Sequence, residues 1–563
     1  MSVFPTTTGT PTDSRVRTQG IWFGDDDRPA LGWLTRDRDT STAPVQTAVV
    51  IAPPFGYPYW SSHRTLRVLA ERLAARGHAV LRIDYDGSGD SAGDQWDPDR
   101  IDAWRQTLRQ AVAELRRLGA HELTLVGARI GATLALLDGA ELGADRLVAW
   151  MPIASGRRYA RELRLLSQPM PEAEDPLQPR GTLLFAGNVF SVQTMQELGK
   201  LSVTDVATPP AGTALVIDDP AGACTDTVTH LRSLGVVVEH RRLEGGDRAL
   251  ELAPEYATVP EQIVGAAADW IGYAAPRRDP ATGPAPRSSA TMAWRGGRVA
   301  EQVLELAPGS HVAIVTSPVA TAATGSTMVM LNPGSETHVG PGRAWVEIAR
   351  DLALAGRRTV RVDFTGWGES PDAGYAPGRP YDPHCVSDTL AIVRELRAAG
   401  HDRVVCFGLC ASAWIAMDAA RQGGMDGLIA LNPQLYWQQG DIVEINWNVI
   451  RGGRAEEIRR IERGSRLGLW GLLDALGQRP RPARWLDAVA ATGVPTWLLF
   501  TPGDDGQKYL EQRLGRHVRR LVAGGRLSVR EVPEIDHPLH RAWLRSRVVS
   551  ALCEALDAID AER

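Results

Sequence analysis

No apolar run in the sequence approaches the roughly 20 residues that a membrane-spanning helix needs. The first residues, Met1-Ser2-Val3-Phe4-Pro5, show neither the basic nor the apolar stretch of a secretion signal. Cysteine is scarce, with five in 563 residues, at 224, 385, 406, 410 and 553. An odd number without a signal reads as free thiols in a reducing cytoplasm, not as a disulfide framework. No Cys-x-x-Cys pair and no His-x-x-x-His spacing occurs, so no metal site is expected. The net charge is only −5 with both signs interspersed, which argues against a nucleic-acid partner and against an anionic membrane surface. Gly87-Ser88-Gly89-Asp90 and Gly366-Trp367-Gly368-Glu369 lack the third glycine of a dinucleotide loop, so no cofactor is expected.

What the chain does have is a repeat. Arg82-Ile83-Asp84-Tyr85-Asp86-Gly87-Ser88-Gly89-Asp90-Ser91 returns as Arg361-Val362-Asp363-Phe364-Thr365-Gly366-Trp367-Gly368-Glu369-Ser370, an offset of 361 − 82 = 279. A second landmark, an apolar strand running into a glycine turn, occurs around Arg129 and again around Cys410, an offset of 410 − 129 = 281. Two landmarks at nearly one interval indicate tandem domains of one fold. A Pro-rich polar stretch, 276–292, reads as the linker, which places the domains at 1–275 and 293–563. Short apolar strands alternate with amphipathic helices in both halves. This pattern predicts an α/β fold in which each domain is a mostly parallel sheet covered by helices on both faces.

In the second half, Gly408-Leu409-Cys410-Ala411-Ser412 has the form of a nucleophile elbow, in which the residues two before and two after the nucleophile must be small. Cys410 there would stand beside a helix N-terminus, which favours the thiolate. The strand Trp497-Leu498-Leu499-Phe500 leads to Asp504 and Asp505, where an acid is needed. The last strand leads to His537 and His540, where a histidine is needed. Nucleophile, acid and histidine thus follow in the order that an α/β-hydrolase uses. An oxyanion hole would take one N–H from Ala411 and one from Gly334 or Ser335 in the turn after an early strand. An insert at about 435–487, rich in aromatics including Trp437, Trp447 and Trp470, would cap the site or form a core of its own.

Both halves resemble the serine aminopeptidase-like (S33-type) branch of the α/β-hydrolases, and in particular the small bacterial hydrolases found beside exosortase and biosynthetic gene clusters. The resembling residues in the first half include Ala52-Pro53-Pro54-Phe55-Gly56-Tyr57, Ser62-His63-Arg64 and Asp84 through Gly93. In the second half they include Leu331-Asn332-Pro333-Gly334, Val339-Gly340-Pro341-Gly342-Arg343 and Gly408-Leu409-Cys410. Gly503-Asp504-Asp505-Gly506 resembles the acid loop of that family, and the resemblance favours Asp504 over Asp505. In the first half the elbow carries Arg129, which is no nucleophile, the stretch 246–256 before the last helix has no histidine, and His240 falls earlier on an expected strand. That half is expected to be a degenerate copy, with Arg129 either in a structural ion pair or contacting an anion. The function expected is acyl chemistry through Cys410, His537 and Asp504. Its substrate would be a small acyl molecule, presented free, on coenzyme A or on a carrier protein. The rival expectation is a non-catalytic scaffold.

Overall fold

The computed structural model describes residues 15–40, 45–167, 177–274, 285–306, 310–375, 378–434 and 481–562. Its first sheet contains β1 (Val16–Gly24), β2 (Pro29–Asp37), β3 (Thr47–Ala52), β4 (Ala79–Ile83), β5 (Glu122–Ala128) and β6 (Arg146–Trp150). A separate hairpin, β7 (Leu183–Phe185) and β8 (Asn188–Phe190), precedes β9 (Thr213–Asp218) and β10 (Val237–Arg242), which complete that sheet. The second sheet contains β11 (Ser289–Trp294), β12 (Gly297–Glu305), β13 (Val312–Pro318), β14 (Thr327–Met330), β15 (Thr359–Val362), β16 (Val404–Leu409), β17 (Gly427–Leu431), β18 (Thr496–Phe500) and β19 (Ser528–Glu531).

The strand orders are β1-β2-β4-β3-β5-β6-β9-β10 and β11-β12-β13-β15-β14-β16-β17-β18-β19. From β3 onward in the first sheet and β14 onward in the second, neighbours are parallel, and antiparallel strands complete one end of each sheet. This is the α/β-hydrolase order, present twice. The central strands read as continuous apolar runs because helices cover both faces. β3, β14, β16 and β17 are buried throughout. The covering helices carry the matching stripe: Arg100–Arg117 buries Ile101, Trp104, Leu108, Ala111, Val112 and Leu115, at a helical period. Each sheet therefore has an apolar core on either side.

The two halves share a further apolar cluster, Trp22, Leu31, Trp33 and Ala92 against Met292, Trp294, Val299, Ile314 and Ala353. Around it, the repeated motif forms the contact between domains. Arg82 grips Glu369 through two hydrogen bonds, at 3.0 and 2.5 Å. Reciprocally, Arg361 binds Asp90. Asp84 and Asp363 each accept the N–H of the acid six residues on, at 3.0 and 2.9 Å, and so shape their own loops.

Two expectations need correction. The interval 276–292 does not end as linker, because β11 begins at Ser289 and Arg287 bridges to Trp22. That edge strand alternates small and polar residues with Met292 and Trp294 and so hides in composition. Similarly, the insert drawn to residue 487 runs into a helix of the domain body, Arg481–Ala491, which buries Leu486 in the core and stacks Trp485 on Trp414.

Candidate active site

β16 ends at Leu409, and the helix Ala411–Ala420 starts two residues later. The reversal holds Cys410 at φ 57°, ψ −110°. A Cβ at Gly408 would lie 2.4 Å from Ser412, so only glycine fits there. The Ser412 hydroxyl closes the turn, accepting from the Leu409 N–H at 3.0 Å and meeting the Leu409 carbonyl at 3.1 Å. Cys410 is thereby presented at the end of the sheet with its thiol partly open. Cys406, one turn of strand earlier, is wholly buried, and burial pushes its thiol up to about 12.

Asp504 follows β18 and caps the short helix Asp505–Tyr509. Its Oδ1 accepts the N–H groups of Gly506 and Gln507 at 2.8 and 3.3 Å. Its Oδ2 is left to accept Nδ1–H of His537 at 2.5 Å. Gly506 permits the approach, since a Cβ there would meet the Pro433 carbonyl at 2.4 Å. Asp505 points away, exposed and paired with Lys508 at 3.1 Å. With Nδ1 turned to Asp504, the other ring nitrogen of His537 is left for Cys410, which lies near enough to act on the charge of the imidazole. Burial works against a charged imidazole, but Cys410 and Asp504 outweigh it and push His537 up to about 10. The arrangement is an imidazole held by a carboxylate on one side with a cysteine on the other. His540 has no such partner: burial lowers it, and Arg545 and His537 lower it further against the opposing pull of Asp536.

The turn after β14 supplies the remaining candidates. Gly334 stands at φ 56° with open space where a side chain would be. Ser335 has a buried hydroxyl without a hydrogen-bond partner among the described residues. The N–H of Ala411 belongs to the first turn of its helix, where no carbonyl of the helix reaches it. Trp437, Trp447 and Trp470 lie outside the described residues. Among the described residues no group of three or more His, Cys, Asp or Glu side chains is placed to hold a metal ion. No described helix is long and apolar enough to cross a membrane.

In the first domain, Arg129 occupies the elbow and turns its guanidinium to Glu162 at 3.2 Å, beside the Tyr159 ring. It makes the ion pair expected as one of its two roles, near the surface. Asp218, at the end of β9, accepts from the Cys224 N–H and contacts His240 Nε2, both at 3.0 Å. An acid–histidine pair thus survives there, but His240 stands on the neighbouring strand β10, not on a loop facing the elbow. Sequence reading missed two residues near the second site: Asn432, which touches the His537 loop, and His338, which ties the domain contact to the turn after β14. The 279-residue offset was the one available signal for His338, since it places that histidine opposite Tyr59.

Neither a family profile nor a curated protein matches the chain. Similar solved structures include Est1E of Butyrivibrio proteoclasticus with ferulic acid bound, at 17% identity, covering 44% of this chain and 97% of that one, with a TM-score of 0.35. Two others are a putative hydrolase of Agrobacterium vitis (18%; 46% and 97%; TM-score 0.31) and an esterase of Pyrococcus furiosus (15%; 45% and 90%; TM-score 0.33). The fold assignment of this chain rests on its own doubled strand order and not on these matches.

Proposed function

We infer that the second domain performs acyl chemistry through a covalent thioester on Cys410. The observation that carries this reading is His537 bonded through Nδ1 to Asp504, with Cys410 near the imidazole at a tight strand-to-helix turn. In this mechanism the thiolate attacks the carbonyl carbon of an ester, thioester or activated amide. The carbonyl oxygen gains charge facing the N–H of Ala411 and of Gly334 or Ser335. The imidazolium of His537 gives its proton to the leaving group, and Asp504 holds the ring in the needed tautomer. In the second half-reaction neutral His537 takes a proton from the acceptor as it attacks the thioester, and the thiolate leaves. A scaffold would not need these three side chains to converge, and their convergence supports chemistry over that reading.

The acceptor is water, an amine or a thiol. A thioester has weaker carbonyl resonance than an oxygen ester and favours amines and thiols over water more strongly. This supports a thioesterase or acyltransferase acting on a biosynthetic intermediate, with the acyl group delivered on coenzyme A or a carrier protein. The test is to incubate the protein with a library of acyl thioesters and search the intact mass for an adduct on Cys410. Amines and thiols are then added, and free acid is measured against conjugate. Absence of any adduct, with Cys410→Ala as active as wild type, would rule out the covalent route. Free acid as the sole product at every acceptor concentration would rule out transfer.

A further inference from the structure

Asn432 directly follows β17 and is fully buried, with φ 50°. Asparagine tolerates this left-handed backbone better than most residues. Its own N–H donates to the Leu499 carbonyl at 2.8 Å. The side chain then divides in two. Oδ1 accepts the Thr501 N–H at 2.8 Å and the Thr501 hydroxyl at 3.3 Å. Nδ2 donates to the main-chain carbonyl of His537 at 3.2 Å. The residue just before it, Leu431, accepts the N–H of Cys410 at 3.0 Å. One buried amide therefore joins three segments: the strand end that holds the elbow, the β18 exit that leads to Asp504, and the histidine loop.

The first domain provides the comparison. At 432 − 281 = 151 it carries Met151, also at positive φ (46°), whose N–H donates to Ile217 at 2.8 Å as that of Asn432 does to Leu499. The backbone device is the same, but the side chain differs. Met151 packs its sulfur on Gly246, the first residue of the short helix Gly246–Leu250 after β10, where a Cβ would meet Sδ at 2.9 Å. The polar tie is replaced by an apolar contact in the domain whose corresponding loop carries no histidine.

The geometry points to Asn432 as a positioning residue for the proposed acyl chemistry: it fixes the His537 main chain so that Nδ1 meets Asp504 while the other ring nitrogen faces Cys410. This rests on the reading of Cys410 and His537 as reacting groups. An asparagine that only filled space would satisfy its amide in the same way, so the test must read the imidazole itself. Asn432→Met copies the first domain, and Asn432→Asp keeps the volume and the acceptor but loses the donor. Three readouts apply to each: the rate of Cys410 alkylation by iodoacetamide at neutral pH, kcat and KM with an acyl thioester, and the low-field proton resonance of the His537–Asp504 hydrogen bond. Loss of a partner that orients a metal-ligating histidine typically costs about 10- to 100-fold, and the same order is expected for a histidine oriented for proton transfer. Both variants are expected to slow alkylation and lower kcat by that order, with KM little changed and the low-field resonance broadened or lost. A folded variant with wild-type alkylation and an intact resonance overturns the proposal. If wild type turns over no thioester while the variants still lose alkylation rate and resonance, the functional reading fails and the positioning role stands.

Discussion

At their elbows the two domains hold nearly the same backbone: φ 52°, ψ −119° at Arg129 and φ 57°, ψ −110° at Cys410. In each, the elbow N–H donates to the last residue of the next strand, Trp150 or Leu431, at 2.9 and 3.0 Å. One elbow presents a thiol near a histidine, and the other presents a guanidinium paired with a surface glutamate. The unusual backbone angle is therefore no mark of chemistry by itself. It follows from running a central strand directly into a helix, and it persists where the elbow residue is an arginine. The difference lies in what surrounds the elbow. The second domain keeps an acid whose two oxygens divide between a helix cap and His537. The first keeps an acid, Asp218, bonded to a histidine on the adjacent strand.

The comparison breaks most sharply at the elbow. Cys410→Ala is expected to lower kcat by about 10⁴- to 10⁶-fold, the range for deleting a member of such a series. Its melting temperature should stay close to wild type, because the thiol lies only at the margin of the packed core and is partly exposed. Arg129→Ala should leave turnover and covalent labelling intact, since its one described polar partner is Glu162. A well-folded Arg129→Ala protein that no longer labels Cys410 would show that the domains share a site. Next in size is the acid. Asp504→Asn should cost about 10⁴-fold in kcat through loss of the correct tautomer of His537. Asp505→Asn should stay within a few-fold, its carboxylate being in solvent beside Lys508. The reverse ranking in steady-state kinetics would reassign the acid.

The fold was legible in the sequence because parallel central strands read as unbroken apolar runs and because two landmarks recur at one interval. Cys410, Asp504 and His537 were legible as strand-end residues in a fixed order. Composition could not separate Asp504 from Asp505, since the distinction is which carboxylate caps the helix while keeping one oxygen free. The role of Asp84 through Ser91 and of Asp363 through Ser370 was not legible either. In sequence they served only as a repeat landmark and fell short of a dinucleotide loop, whereas they shape the loops that carry Asp90 and Glu369 across to the other domain. That role depends on which surfaces meet, and no local pattern records it. Asn432 escaped for the same reason: its partners lie 69 and 105 positions away in the chain.

The domain contact offers a third test of how alike the halves are. Glu369 receives Arg82 and His63, and its carboxyl is held well below the usual range despite burial. Asp90 receives Arg361 and His338. Removing one partner of a buried ion pair leaves the other uncompensated, at a cost of about 3–5 kcal/mol. Glu369→Gln and Asp90→Asn should each lose stability of that order in urea unfolding, with kinetics affected only through the folded fraction. Equal losses would mark the contact as two-fold symmetric in energy as well as in residue positions.

The smallest expected effect concerns a place where the symmetry fails. Tyr59 and His338 are equivalent by the 279-residue offset. Tyr59 donates to Asp84 at 2.6 Å, and burial with Asp84 pushes its phenol well above the usual range, so it stays neutral. His338 lies between Asp363 at 2.6 Å and Asp90 at 2.7 Å. Burial opposes its charge, but the two carboxylates outweigh burial and raise it well above 6.5. A group whose folded value is raised contributes stability that is complete below its unfolded value, about 6.5, and is lost as pH rises through the folded value. The half of the contact built on His338 should therefore weaken on the alkaline side, while the half built on Tyr59 should not. Stability above pH ~6.5 should fall with a slope of up to about 1.4 kcal/mol per pH unit for this one proton. Asp84 is also raised, by burial and by Asp90, so wild type alone does not isolate the histidine. His338→Gln removes the titrating group and leaves an amide able to donate to one carboxylate. Its stability should be lower near neutral pH and flatter across pH 6.5 to 9 in urea unfolding. An equally steep decline in His338→Gln would place the pH dependence elsewhere and remove this difference between the halves.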